Sequence, residues 1–262
     1  EGVVDRVQQT IQLLRQAVAL DELFDAYNAL VGTNMQQGKF DDVPEMLDEL
    51  EAIAFEVQKP FLFGVLYSLR SYHTDHMGDP AGALAYARQA LDAFTQIEDT
   101  FYEAIVLSGM AQRLFTLERP EEAAEALRRA SELAELNEIP LTQAFAQKWL
   151  AHYHQNKGDL AEAEAALTLS KELFLKVNEQ RNLVEIDHSF ALLAQARGQW
   201  DIMARYLVDS LQRAQTQKME KQVLDVLVCL PGLQWQRGER EQALAWADVL
   251  QRQESLNEAQ QA

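Results

Sequence analysis

The sequence predicts an all-α chain, a solenoid of helix-turn-helix repeats about forty residues long. Three observations carry that expectation. Five of the 11 glycines, Gly38, Gly78, Gly158, Gly198 and Gly238, fall on one forty-residue phase, with Glu118 in the remaining slot. The prolines keep the same phase: Pro60 and Pro140 lie eighteen residues before a phase position, and Pro80 and Pro120 lie two after one. The composition is that of helix, rich in Ala, Leu, Glu and Gln with only 11 Gly and 6 Pro in 262 residues.

The elements follow in order. Residues 1–20 carry Val3, Val4, Val7, Ile11, Leu13 and Leu14 and read as the second helix of a preceding partial repeat, or as a cap. Six repeats then span 21–59, 60–99, 100–139, 140–179, 180–219 and 220–253, and 254–262 is a polar tail. A chain that starts at Glu1 half-way through a repeat is expected to be a piece of a longer protein. In one unit a first helix runs from near Pro60 to Met77, because proline is tolerated only in a first turn. Gly78 ends it in a left-handed conformation, Asp79 offers a capping oxygen, and a second helix runs to about Ile97.

Small or apolar residues repeat where two helices must approach closely. Five residues after each turn marker stand Val43, Ala83, Ala123, Ala163, Met203 and Ala243. Nine after it stand Leu47, Ala87, Leu127, Leu167, Leu207 and Ala247, and twelve after it Leu50, Ala90, Ala130, Ser170, Ser210 and Leu250. Seven before it stand Val31, Ser71, Ala111, Ala151, Ala191 and Pro231. Pro231-Gly232 inside the last first helix predicts a kink or an irregular turn.

This pattern resembles the tetratricopeptide (TPR) family, in which a small residue lies mid-way along helix A, a glycine at the turn and alanines along helix B. Gly78-Asp79 with Ala83 and Ala90, and Gly158-Asp159 with Ala163, match best. The aromatic usual early in helix A is Tyr27 and Tyr67 in the first two repeats, but Leu107, Gln147, Asp187 and Leu227 afterwards. Repeats near forty residues look like the MalT-like TPR arrays of STAND-class signalling ATPases. The resemblance implies a right-handed α-solenoid with its A helices lining a concave groove. It points into that groove the residues ten, six, three and two before each turn marker. From these come the candidate ligand-binding residues Asn28, Ser68, Tyr72, His76, Gln112, Phe115, Lys148, His152, Gln155, His188, Gln195 and Trp235. The twenty-four positions hold one acid, Asp75, and one base, Lys148, so the groove is expected to be nearly uncharged and rich in amide, imidazole and aromatic groups. Gly32, Tyr72, Gln112, His152, Leu192 and Gly232 fill the row where a clamp for chaperone carboxyl termini needs asparagine, so that clamp is disfavoured.

Other chemistries find little support. A net charge of −18 and a pI near 4.6 oppose binding to nucleic-acid backbones and anionic lipid. The single cysteine, Cys229, reads as a small buried hydrophobe, and its solitude suits a reducing compartment. With no signal peptide and no apolar run of some twenty residues, the chain is expected in the cytoplasm. No phosphate-binding glycine loop, His-Glu-x-x-His or Gly-x-Ser-x-Gly occurs, so neither catalysis nor a cofactor is expected. His76, His152 and His188 lie on separate repeats, too far apart for a shared metal. The expectation is a non-catalytic binding module, taking a peptide, protein or small polar ligand in its groove. It would be the sensing domain of a larger signalling regulator or, alternatively, a self-contained protein–protein adaptor.

Overall fold

The structure is a computed structural model that describes residues 2–17, 19–239 and 241–243. The expected tail and the seam positions Ala247 and Leu250 lie outside the described residues, as do the side chains of Val3 and Val4. The described residues form twelve helices and no strand. They are α1 (Gly2–Ala17), α2 (Leu20–Gln36), α3 (Val43–Val57), α4 (Pro60–His76), α5 (Pro80–Gln96) and α6 (Thr100–Thr116). There follow α7 (Pro120–Leu136), α8 (Pro140–Lys157), α9 (Leu160–Lys176), α10 (Gln180–Ala196), α11 (Trp200–Thr216) and α12 (Glu220–Gln236). The even-numbered helices from α2 onward are the first helices of the repeats, called A here, and the odd-numbered ones from α3 onward are the B helices.

The turns explain the period. Most helices hold 17 residues, and a turn of three follows, so one step takes twenty residues and a pair takes forty. Gly38, Gly78, Gly158, Gly198 and Gly238 are left-handed at the A-to-B turns, and Glu118 adopts the same conformation with φ 56°. The B-to-A turns use it too, at Gln58, Glu98, Glu138, Asn178 and Lys218, with φ between 54° and 58°. At most of these turns the N–H after the left-handed residue reaches back five residues: Asp79 to the Thr74 carbonyl (3.1 Å), Asp99 to Phe94 (3.0 Å), Ile139 to Ala134 (2.8 Å). That bond satisfies a carbonyl the helix end would otherwise leave open. The next helix begins at once, with Asp79 accepting from the Gly82 N–H (2.8 Å) and Asp99 from the Tyr102 N–H (3.1 Å).

The seam is as tight as the small residues require. Val43, Ala83, Ala123, Ala163 and Met203 are at most 1% exposed, and Leu127 and Leu167 no more than that. Burying each of those leucines contributes about 2 kcal/mol. Serines fit the same seam because their hydroxyls find carbonyls across it. Ser71 donates to Ala83 (2.7 Å), Ser170 to Ala144 (2.8 Å) and Ser210 to Val184 (2.9 Å).

Between Thr142 and Gln143 the chain divides into two compact units. In the first, Ile11 of α1 is buried in a core with Leu23, Phe24, Tyr27, Leu47 and Leu66. Leu13, expected on the same apolar face, is instead 66% exposed, since two residues along a helix lead to its opposite side. In the second unit Ala191, Met203, Leu207, Val226 and Leu233 form a core. Helix α12 continues unbroken through Pro231, so the irregular turn is absent. Proline there leaves the Leu227 carbonyl without its helical donor, and its ring occupies the seam position held elsewhere by small residues. Consecutive helices pack against each other within each unit, and the A helices α2 and α4, and α10 and α12, also touch side by side.

Candidate binding surface on the A helices

In the first unit the candidate residues occupy the open side of the A helices. Tyr72 is 50% exposed, His76 and Gln112 are exposed, and Asn28, Ser68 and Phe115 are half-buried. The His76 ring stacks on Phe40 from the α2–α3 turn, centroid to centroid 3.9 Å, and lies nearly parallel to Tyr72 at 6.4 Å. Ser68 is committed within its own helix, its hydroxyl donating to the Gly64 carbonyl (2.8 Å). Asp75, the expected lone acid, faces Arg113 of α6 at 3.6 Å. Arg113 is only 8% exposed and donates to the Gly109 carbonyl (2.6 Å); burial pushes its pKa down in spite of Asp75 and Tyr72.

In the second unit the candidates join neighbouring A helices directly. Lys148 of α8 bonds Asn182 (3.2 Å) and Glu185 (2.8 Å) of α10, with its ammonium 5.1 Å from the Phe145 ring centre and 5.7 Å from that of Trp149. Gln155 donates to the Ser189 carbonyl (3.1 Å). His152 is exposed, 3.4 Å from the Asn156 amide and edge-on to Trp149. His188 meets Cys229 of α12, ring nitrogen to sulfur 3.5 Å. Gln195 is exposed, and Trp235 is 52% exposed. Cys229 is therefore half-buried rather than fully buried, packed at the edge of the second unit's core while its sulfur also meets His188 and the Asp225 carbonyl. Burial and the nearby Asp225 raise its pKa, so the thiol stays protonated, the reverse of an activated nucleophile. Partial burial of the rings, including the part of His152 that packs against its helix, holds His73, His152 and His188 below the ordinary imidazole value.

The nearly uncharged surface expected from the sequence does not survive. Thirteen residues before each turn marker stand Asp25, Val65, Ile105, Phe145, Glu185 and Asp225, one helical turn from the row ten before it and on the same face. Asp25, Ile105, Glu185 and Asp225 are exposed. The forty-residue phase holds this row too, outside the four rows that the family pattern points into the groove. A cleft of about 140 Å³ opens between α10 and α12, lined by Glu185, His188, Gln222 and Asp225. A larger one, about 460 Å³, lies on the B-helix side of α10, with a floor of Phe190 and Tyr206 and a rim that includes Arg197, Arg205 and Asp209. No phase argument could locate that gap, because it depends on how far α9 and α11 stand apart. Among the described residues no helix is long and apolar enough to cross a membrane. Nor do three His, Cys, Asp or Glu side chains among them gather as a metal site requires.

Tyr72, His76 and Arg113 fall within the part of the chain that a family model recognises: residues 68–135 match the model described as tetratricopeptide repeat. That stretch is similar to tetratricopeptide repeats. The wider fold matches TPR-like helical solenoids among solved structures. One is a signal transduction ATPase with numerous domains (STAND) from Pyrococcus horikoshii that has a tetratricopeptide repeat sensor, at TM-score 0.74 and 15% identity, covering 93% of this chain and 39% of that one. The chain thus spans well under half the length of that protein. Another is the apo form of RapI, at TM-score 0.74 and 15% identity, covering 90% of this chain and 85% of that one. A third is a Rap protein complexed with competence and sporulation factor, at TM-score 0.63 and 12% identity, covering 95% and 75%. Identities this low speak for the TPR fold alone. No curated protein matches the sequence.

Proposed function

We propose that the chain is a non-catalytic TPR module that binds a polypeptide on the open face of its A helices and serves as the sensing part of a larger signalling regulator. The observation that carries this reading is the chemistry left open on those helices. Tyr72, Leu192, Val228 and Trp235 are 41% to 60% exposed while the opposite sides of the same helices are buried. Exposed large apolar side chains set among amides and imidazoles mark a contact surface. A peptide fits better than a small polar ligand, because the cleft on that face, about 140 Å³, is smaller than the 300 Å³ or so at which small-molecule sites begin. The similarity to a STAND protein's repeat sensor and to a Rap protein complexed with a factor supports the sensing role. A second reading, a self-contained adaptor, draws on the larger cleft on the B-helix side of α10.

The test begins with a peptide selected from a random library against the chain, its affinity measured by calorimetry. Tyr72→Ala, His152→Ala and Trp235→Ala are expected to include at least one loss of about tenfold or more, with helicity unchanged. Loss confined to Arg205→Ala, in the far cleft, would move the site to the B-helix side and favour the adaptor.

A further inference from the structure

The A-helix face of the first unit changes character in one direction. Seventeen residues before the turn marker stand Asp21 on α2, Phe101 on α6 and Leu141 at the start of α8. Thirteen before it, Asp25 on α2 corresponds to Ile105 on α6. Phe101, Ile105 and Leu141 are 42%, 40% and 42% exposed, and Tyr72 on α4 is 50% exposed. The aromatic at the matching place on α4, Phe61, is half-buried, with its ring against Phe94 and Tyr102 (5.9 and 5.2 Å). One end of the face thus ends in carboxylates and the other in open apolar side chains.

The acidic end is neutralised only in part: Arg15 pairs with Glu49, and Arg70 with Asp48 and Glu51. Asp21 is paired with Lys59 at 2.5 Å, but Asp25 is exposed and in no ion pair among the described residues. Residues 15–70 carry ten carboxylates against four bases, Arg15, Lys39, Lys59 and Arg70, an excess that favours a cation from outside. From α2 to α6 is two A-helix spacings, about 20 Å at roughly 10 Å each. An extended chain covers that span in about six residues at some 3.3 Å per residue.

We infer that this face takes an extended polypeptide segment with a basic residue over Asp25 and apolar side chains over Phe101 and Ile105, about six residues away. The inference rests on the A-helix face being the binding surface and adds the chemistry of what binds. Charge complementarity supplies selectivity and the apolar end supplies most of the contact area.

The probes are fluorescein-labelled peptides with two lysines, a four-residue Gly-Ser spacer and Leu-Phe, made in both chain directions, and their glutamate counterparts. Anisotropy is read with the whole chain and with Asp25→Lys, Ile105→Glu and Glu125→Lys, the last on exposed surface of B helix α7. At least one lysine peptide should bind, with its glutamate counterpart at least about tenfold weaker. Asp25→Lys should reverse that preference, Ile105→Glu should remove binding with helicity intact, and Glu125→Lys should change nothing. No binding by any peptide overturns the inference, and so does an effect of Glu125→Lys as large as that of Asp25→Lys, which would mark unspecific attraction. Equal binding of lysine and glutamate peptides, still lost in Ile105→Glu, defeats the basic preference while keeping the A-helix face. Lysine-selective binding that ignores Ile105→Glu defeats the face itself.

Discussion

Asp187 has no exposed surface, and its two carboxyl oxygens accept from Lys171 of α9 (2.6 Å) and from Arg213 of α11 (2.8 Å). Arg213 also bonds Gln180 (3.1 Å), and the Lys171 ammonium lies 5.5 Å from the ring centres of both Phe190 and Tyr206. A single A-helix carboxylate therefore joins the B helices of two repeats. Removing one member of such a group leaves a cation without its partner, so Asp187→Ala is expected to cost roughly 3 kcal/mol in chemical denaturation. The figure sits at the low end because Lys171 and Arg213 keep some access to water. Asp187→Asn, which keeps shape and part of the bonding, should cost less. The sequence marked this position only as a place where the usual aromatic is missing. Two cations sixteen residues before and twenty-six after it had no visible link to it. Arg113 and Glu185 escaped for a similar reason: each is defined by a partner on the preceding A helix, and pairing across repeats leaves no local pattern.

At the scale of the element, the forty-residue period was legible because glycine marks the A-to-B turn. At the intervening turn proline marked where the next helix starts, but the left-handed residue itself was not legible, because Gln58, Glu98, Glu138, Asn178 and Lys218 adopt that conformation without glycine. The chain holds these residues there through the carbonyl bonds of the helix end, against a steric cost of about 1 kcal/mol each. Glu118→Gly should accordingly stabilise the chain by up to about 1 kcal/mol, read as a rise in the denaturation midpoint. A fall would mean that the Glu118 side chain does something its backbone does not reveal. Gly64 makes the opposite prediction. Inside α4, alanine is the better helix former by about 1 kcal/mol. A Cβ at Gly64, however, would lie 2.7 Å from the Phe94 ring, which is fully buried and cannot retreat. Gly64→Ala is therefore expected to destabilise by about 1–3 kcal/mol, and an unchanged midpoint would show that the ring finds room.

At the scale of the whole molecule, the twenty-four groove positions implied a nearly uncharged binding face, and that is corrected by Asp25, Glu185 and Asp225. The histidines give the molecule a pH dependence of definite sign. Burial lowers His73, His152 and His188 below 6.5, so the unfolded chain takes up protons first as the pH falls. Stability is then full above 6.5 and declines as the pH falls through it toward the lowered folded values. The melting temperature should drop between about pH 7.5 and 5.5, above the range where ordinary carboxylates titrate, and His73→Gln, His152→Gln and His188→Gln together should flatten that drop. A profile unchanged by the three substitutions would assign the dependence to other groups. The direct test of the binding face is hydroxyl-radical footprinting of the chain with and without a selected peptide. Tyr72, Leu192 and Trp235 on A helices can be compared with Phe55, Leu136, Leu175 and Val208 on B helices, all of them exposed. Protection concentrated on the first group is the expected result; protection of the second group with Tyr72, Leu192 and Trp235 still oxidised would contradict it.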